Sequence, residues 1–187
     1  MQLSAEIRLF WFDEKPAALE AWFLDDRLHS FPLGIAEERA DVYLRDPHQV
    51  ELGIKTRGSN SGIEVKGLIA TLDDPLEFDS YRVPVELWSK WPSQAMSFDT
   101  KSGVTLHKKR WLRRFELANR QACTAEWTIV TQSTGEICWT LGFESFGQLQ
   151  DIETSLRSVA RVMRDRNPPP APGAKALSYP AWLASLR

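Results

Sequence analysis

Polar and apolar residues alternate through much of this chain. Between Gln2 and Phe12 the odd positions Leu3, Ala5, Ile7, Leu9 and Trp11 are apolar, whereas Gln2, Ser4, Glu6 and Arg8 are polar. A period of two predicts a strand with one buried face. The alternation returns as Ala40-Val42-Leu44 against Asp41-Tyr43-Arg45, as Leu52-Ile54 against Glu51, Lys55 and Arg57, and as Ile63-Val65 against Glu64 and Lys66. Further along, Tyr81, Val83, Val85 and Leu87 alternate with Ser80, Arg82 and Glu86, reading as one strand. Ala125-Trp127-Ile129 alternate with Thr124-Glu126-Thr128, and Ile137-Trp139-Leu141-Phe143 with Cys138, Thr140, Gly142 and Glu144. Val104 to Phe115 is a strand dense in bases whose two faces are less cleanly separated. Turn residues, among them Asp46-Pro47 and the Gly58–Gly62 loop, punctuate these runs. The pattern predicts about eight strands in one β-rich domain.

Two segments follow the helical period instead. Lys15 to Asp25 carries Pro16 in its first turn and Leu19, Trp22 and Phe23 on one stripe; Gln148 to Arg164 places Ile152, Leu156, Val159, Ala160 and Met163 together. Arg27 to Ile35, with Pro32 and Gly34, reads as loop. The Pro168–Gly173 run ends the second helix. Beyond it Ser178, Pro180 and Trp182 predict a short capped helix that folds back and docks Trp182. The expected division is therefore a barrel-like unit over residues 1–166 and a Pro-rich turn with a docking helix over 167–187.

If the strands share one sheet, the helices cover its apolar face. The other face then collects Glu6, Arg8, Glu51, Lys55, Arg57, Glu64, Lys66, Arg82, Glu86, Lys108, Arg110, Glu126 and Glu144. Such a face can simply meet water. A twisted sheet of about eight strands also tends to curl, and with helices outside it would enclose the charged side. In the hairpin around Gly58–Gly62, one register sets Arg57 opposite Glu64 and Lys55 opposite Lys66, which invites an anion between the lysines. The register shifted by two sets Lys55 against Glu64, an ordinary ion pair. Both stay open at this level.

Composition leaves the partner to local geometry. The 187 residues are 43% hydrophobic and 26% charged, with a net charge of -2 and a pI near 6.0. That balance gives no support to a nucleic-acid or membrane partner. The N-terminus has no signal-peptide pattern and no segment has transmembrane length, so a cytoplasmic protein is expected. Cys123 and Cys138 fall on the two arms of a hairpin, with Cys123 opposite a residue near Phe143 to Ser145. Their parity points them to different faces, as free thiols. His29, His48 and His107 show no ligand spacing. Gly58 to Gly62 lacks the Lys-Ser/Thr and helix of a P-loop. Trp11, Trp127 and Trp139 read as core, while Trp88, Trp91 and Trp111 are candidates for a cavity rim.

Several bases facing one cavity suit a ligand with several phosphates. Carboxylates beside them suit a divalent cation shared with phosphate oxygens. At this point the residues resemble a family, the CYTH-like triphosphate tunnel proteins. Asp41-Val42-Tyr43, Lys55-Thr56-Arg57, Lys66-Gly67, Lys108-Lys109-Arg110 and the late Gly142-Phe143-Glu144 are similar in order and spacing to its strand motifs. The chain departs from it at two places. Where the family's first strand reads E-x-E-x-K, this one reads Ser4-Ala5-Glu6-Ile7-Arg8, and Gly142 stands for one glutamate of the late E-x-E.

The resemblance implies an α+β, β-dominated fold, an eight-stranded antiparallel tunnel-like barrel with helices packed outside, acting on a small phosphorylated polyanion. Together with the charged face, it leads to an expectation of phosphate contacts from Arg8, Lys55, Arg57, Lys66, Arg82, Lys108 and Arg110. Mg²⁺ or Mn²⁺ would be held by Glu6 and Glu144, which would also serve catalysis, with Glu64 and Glu126 behind them. The leading expectation is binding, with metal-dependent hydrolysis, of a triphosphate. The alternatives are a non-catalytic polyanion or nucleotide-binding module, favoured by the two missing carboxylates, and a barrel whose interior holds only salt bridges.

Overall fold

The computed structural model describes residues 1–28, 31–58, 62–116 and 122–186. His29 and the Ser59, Asn60 and Ser61 part of the glycine-flanked turn lie outside the described residues. In chain order the strands are β1 (Gln2–Trp11), β2 (Glu37–Leu44), β3 (Leu52–Arg57), β4 (Ile63–Thr71), β5 (Leu76–Phe78), β6 (Tyr81–Val83), β7 (Glu86–Ser93), β8 (Val104–Glu116), β9 (Ala122–Gln132), β10 (Ile137–Phe146) and β11 (Lys175–Ala176). The helices are α1 (Ala17–Leu24), α2 (Leu149–Arg164) and α3 (Tyr179–Ser185).

Eight strands close into an antiparallel barrel in the order β1-β10-β9-β8-β2-β3-β4-β7, because β1 pairs with β10 along one edge and with β7 along the other. Closure leaves no long open edge. Pairing with β7 ends at Glu6, and β11 takes the vacated edge of β1 at Leu9 and Phe10.

Parity sorts the side chains as the alternation predicts. Odd residues of β1, β9 and β10 point outward, and Ile7, Trp11, Ala125, Trp127, Leu141 and Phe143 pack with Leu19, Trp22 and Phe23 of α1 and Ile152, Leu156, Val159 and Met163 of α2. Each Ile, Leu, Val, Phe or Met among them, fully buried, contributes about 1.5–3 kcal/mol of transfer free energy. The less regular faces of β8 have a cause: Arg113 points outward yet is wholly buried, its guanidinium donating to Phe23 O at 2.7 and 3.1 Å and to Phe31 O at 2.6 Å and pairing with Asp26 at 2.8 Å. That fork fastens the end of α1 and the loop after it to the wall.

The continuous strand expected from Tyr81 to Leu87 is broken. Tyr81–Val83 pairs instead with Leu76–Phe78, forming a small hairpin outside the barrel that buries Leu76, Phe78 and Val83 against the outer core. Pro84 lacks an N–H to continue a ladder, and the barrel strand restarts at Glu86 and runs on to Ser93. Cys123 lies opposite Ser145 and faces the outer core, whereas Cys138 faces the interior; both are free and buried. Among the described residues no helix is long and apolar enough to cross a membrane.

Candidate functional site

The even positions of β1, β4, β7, β8, β9 and β10 and the odd positions of β2 and β3 turn their side chains into the barrel. They line a cavity of about 80 Å³ with Arg8, Arg39, Lys55, Arg57, Lys66, Lys90, Lys108 and Arg110, and with Glu6, Glu64, Glu126 and Glu144. Eight bases against four glutamates leave a formal excess of four positive charges, three once Asp41 is included behind the wall. The volume holds a handful of waters, because the side chains lean on one another.

Three groups of contacts organise the lumen. In the first, Glu6 of β1 stands opposite Glu144 of β10, and Lys66 of β4 opposite Lys90 of β7. Lys66 bonds Glu6 and Lys90 bonds Glu144; the Lys66 ammonium also lies 4.3 Å from the ring centroid of wholly buried Trp88. In the second, Arg8, Gly142 and Glu126 share a rung across β1, β10 and β9. Arg8 crosses over the glycine, donating to Glu126 at 2.9 Å, to Thr140 at 3.0 Å and to Glu6 at 3.1 Å. Arg110 reaches the other oxygen of Glu126 at 3.1 Å.

The third group surrounds wholly buried Asp41. Arg39, Lys108 and Lys55 approach its oxygens at 3.2, 3.3 and 3.9 Å, and Lys108 donates to Tyr43 Oη at 2.6 Å. The β3–β4 register is the one that sets Lys55 against Glu64, with the pair at 3.0 Å and Arg57 on the same carboxylate at 2.8 Å. The alternative register, with two lysines opposed, is not adopted.

Burial acts against every charge here, and the neighbours decide the outcome. For Glu6, burial would raise the carboxyl, but Lys66, Arg8 and Lys90 together hold it well below the usual range. Arg8 and Arg110 do the same for Glu126, again against burial. Glu64 is brought down to about 2 by Lys55 and Arg57 despite its burial. On the basic side, burial pushes Lys55 down to about 8 in spite of Glu64 and Asp41. Burial and the nearby Lys55 charge also push Lys108 down. Glu86 moves the other way, raised to about 7 by burial and by the charge of Glu6, which faces it across the β1–β7 rung.

One end of the lumen is apolar. Inward-facing Phe10, Tyr43, Leu106, Val130 and Cys138 pack there with Tyr179, Trp182 and Leu183 of α3. Ser178 caps this helix, its Oγ accepting from Ala181 N at 3.3 Å. Tyr179 and Pro180 reach the cavity itself, and the Tyr179 ring lies 3.7 Å from the Lys108 ammonium and 4.9 Å from Arg8. The helix thus fills that mouth of the barrel.

This fold has solved counterparts. No protein-family model matches the sequence, and no curated protein matches it significantly. The capping enzyme triphosphatase of Mimivirus, in its triclinic structure, is 12% identical with a TM-score of 0.52 over 87% of this chain and 88% of that one. In the monoclinic structure the identity is 12% and the TM-score 0.50, over 84% and 90%. This is the triphosphate-tunnel fold. An RNA triphosphatase of S. pombe also matches, at 11% identity and a TM-score of 0.46 over 88% and 81%. At these identities the likeness is one of fold.

The tunnel brings together ten of the eleven residues singled out from sequence: Glu6, Arg8, Lys55, Arg57, Glu64, Lys66, Lys108, Arg110, Glu126 and Glu144. Arg82 is placed elsewhere, exposed on the outer hairpin opposite Glu77. Arg39, Tyr43, Lys90 and Tyr179 were missed as lining residues. Arg39 shares the parity of Asp41, and Lys90 that of Glu86, so carrying each alternation two to four residues further would have found them. Trp88 does face the lumen, whereas Trp111 packs on the outer core. His48 and His107 are exposed.

The expected divalent cation meets a donor set that does not fit it. Glu6, Glu64, Glu126 and Glu144 are each already bonded to one or two bases, and the guanidinium of Arg8 lies between Glu6 and Glu126. Among the described residues no group of three His, Cys, Asp or Glu is placed to hold a metal ion.

Proposed function

We propose that this tunnel binds a triphosphate or a similar linear polyphosphate, free or on a nucleotide, as a non-catalytic module. The observation that carries the reading is the convergence of eight bases on one cavity in a chain whose net charge is -2. The positive charge is concentrated inside and the compensating negative charge lies elsewhere on the molecule, an arrangement that focuses an anion into the lumen. The depressed Lys55 and Lys108 add to it, since a nearby anion would favour their charged forms. Entry of a polyphosphate exchanges partners: Lys55, Lys66, Lys90 and Arg57 swing from glutamate oxygens to phosphate oxygens. The apolar end filled by α3 leaves the opposite mouth as the route in.

Binding without hydrolysis is favoured by the acids. A general base needs a pKa near the working pH. Glu6, Glu64 and Glu126 are held well below that by the bases bonded to them, and Glu86, raised to about 7, accepts from Trp88 and does not line the cavity. The test is thermal melting and calorimetry with tripolyphosphate, paired with an orthophosphate-release assay. At a ligand concentration 100-fold above Kd, mass action stabilises by about 2.7 kcal/mol, or about 5–10 °C in a chain of this size. The shift should shrink at high salt and on Lys55→Ala or Arg110→Ala. No shift with tripolyphosphate would refute binding, and steady orthophosphate release abolished by Glu6→Gln would refute the non-catalytic reading.

A further inference from the structure

We infer that the Arg8 guanidinium, seated on Gly142, is a built-in cation that takes the place of a divalent metal ion, so that this tunnel binds polyphosphate without metal. The inference deepens the polyphosphate reading and rests on it for its ligand; the geometry of the cation stands without it.

Arg8 and Gly142 are cross-strand partners on β1 and β10. A Cβ on residue 142 would lie 2.7 Å from Arg8 Cζ and Nη2 and 2.9 Å from Nη1, distances that real Cβ atoms do not tolerate. The guanidinium therefore occupies the space that a side chain on β10 would need. Two of the three departures from the tunnel motif meet at this one place: a glutamate is absent where the guanidinium lies, and the base on β1 is the longer, branched one that can lie flat across the gap; the third, Ser4, lies two inward-facing positions further along β1, opposite Phe146. A glutamate at 142 would require the Arg8 guanidinium to leave this seat.

The seat is also electrostatically complete. Arg8 is 7% exposed, bonds the carboxylates of Glu6 and Glu126 together with Thr140 Oγ1, and stacks its charge 4.9 Å from the Tyr179 ring. It holds together the two carboxylates nearest to it, as a bridging metal ion would. Unlike a hydrated ion, a guanidinium is permanently charged, fixed by its fork of donors and less costly to desolvate. A divalent ion brought to Glu6 or Glu126 would meet that positive charge at contact distance.

The experiment separates the cation from the ligand. Mn²⁺ alone is titrated into the intact chain and followed by electron paramagnetic resonance, and tripolyphosphate is titrated in EDTA and followed by thermal shift. The wild-type chain should bind no Mn²⁺ in the lumen, and its tripolyphosphate shift should persist in EDTA. The double substitution Arg8→Lys/Gly142→Glu should gain a Mn²⁺ site, with affinity raised at least tenfold. Arg8→Gln, which keeps the size and some bonds but removes the charge, should show a smaller gain and serves if the double variant does not fold. One Mn²⁺ bound by the wild-type chain and lost on Glu6→Gln would overturn the inference, as would tripolyphosphate stabilisation that appears only with Mn²⁺, or variants that gain no Mn²⁺ affinity. If tripolyphosphate never binds, the function reading falls, and the Mn²⁺ titration by itself still decides whether Arg8 has replaced the ion.

Discussion

Replacing Glu86 by Gln should stabilise the protein at pH 8 and do much less at pH 5. Glu86 opens β7 and faces Glu6 across the rung; its Oε2 accepts from Trp88 Nε1 at 3.1 Å. Burial, then the Glu6 charge, raises its pKa from 4.5 to about 7. A raised folded-state pKa means that the native state holds a proton that the unfolded chain has released. The stabilisation is complete below pH 4.5 and is lost as pH rises through 7. Integrating between those values, the native state loses about 2.5 kcal/mol relative to the unfolded state from pH 5 to pH 8, and partial solvent access trims this to about 2 kcal/mol. Glutamine carries no such penalty and keeps an oxygen for Trp88. The lowered pKa of Glu6 works in the opposite sense, adding stability above its unfolded value, but it is common to both proteins and cancels in the comparison. Urea unfolding of both chains at pH 5 and pH 8, with m-values compared, reads the effect through the midpoint. Equal differences at the two pH values, or a less stable variant at pH 8, would refute the charge-repulsion account.

Two further outcomes test how the tunnel is held. Trp182→Ala removes a ring packed against Phe10 and Phe12 at 5.2 and 6.0 Å, a truncation that costs about 3–5 kcal/mol in a rigid core. A seven-residue helix has no stability of its own, so α3 should detach and amides 179–186 should lose hydrogen-exchange protection while the barrel keeps its own. Unchanged protection there would sink the idea that Trp182 docks the helix. Arg113→Ala strands the Phe23 and Phe31 carbonyls and should cost about 3–5 kcal/mol, with Arg113→Lys recovering little because it lacks the fork; a loss under about 1 kcal/mol in urea melts would show that the fork is incidental.

The departures between sequence and structure share a physical origin. Alternation reports which residues sit on the same face of one strand, and nothing about where a strand is interrupted. Arg82 has the same parity as Glu86, yet Pro84 and the pairing of Leu76 with Val83 divert it to an outer hairpin. Lys90 was lost for the opposite reason, because a strand expected to end at Leu87 continues through Trp88 to Ser93. Tyr179 belongs to a segment far along the chain whose capping residues predict a helix but cannot say which cavity it fills. The hairpin register was open because both pairings satisfy the apolar face, and the ion pairs of Glu64 with Lys55 and Arg57 accompany the one adopted.

What the sequence by itself determined is local: two faces per strand, one apolar and one charged, helices with apolar stripes to cover the first, and the motif order of a tunnel barrel. Side-chain direction follows from a backbone period of two, and that period is written in neighbouring residues. Only the tertiary structure decided that the charged face is inside, since closure depends on β1 finding both β7 and β10, partners some eighty and one hundred and forty residues away. It alone showed that Arg8 and Gly142 are one feature. Read along the chain they are two separate departures from a motif; across the rung, the missing side chain is the space in which the arginine lies.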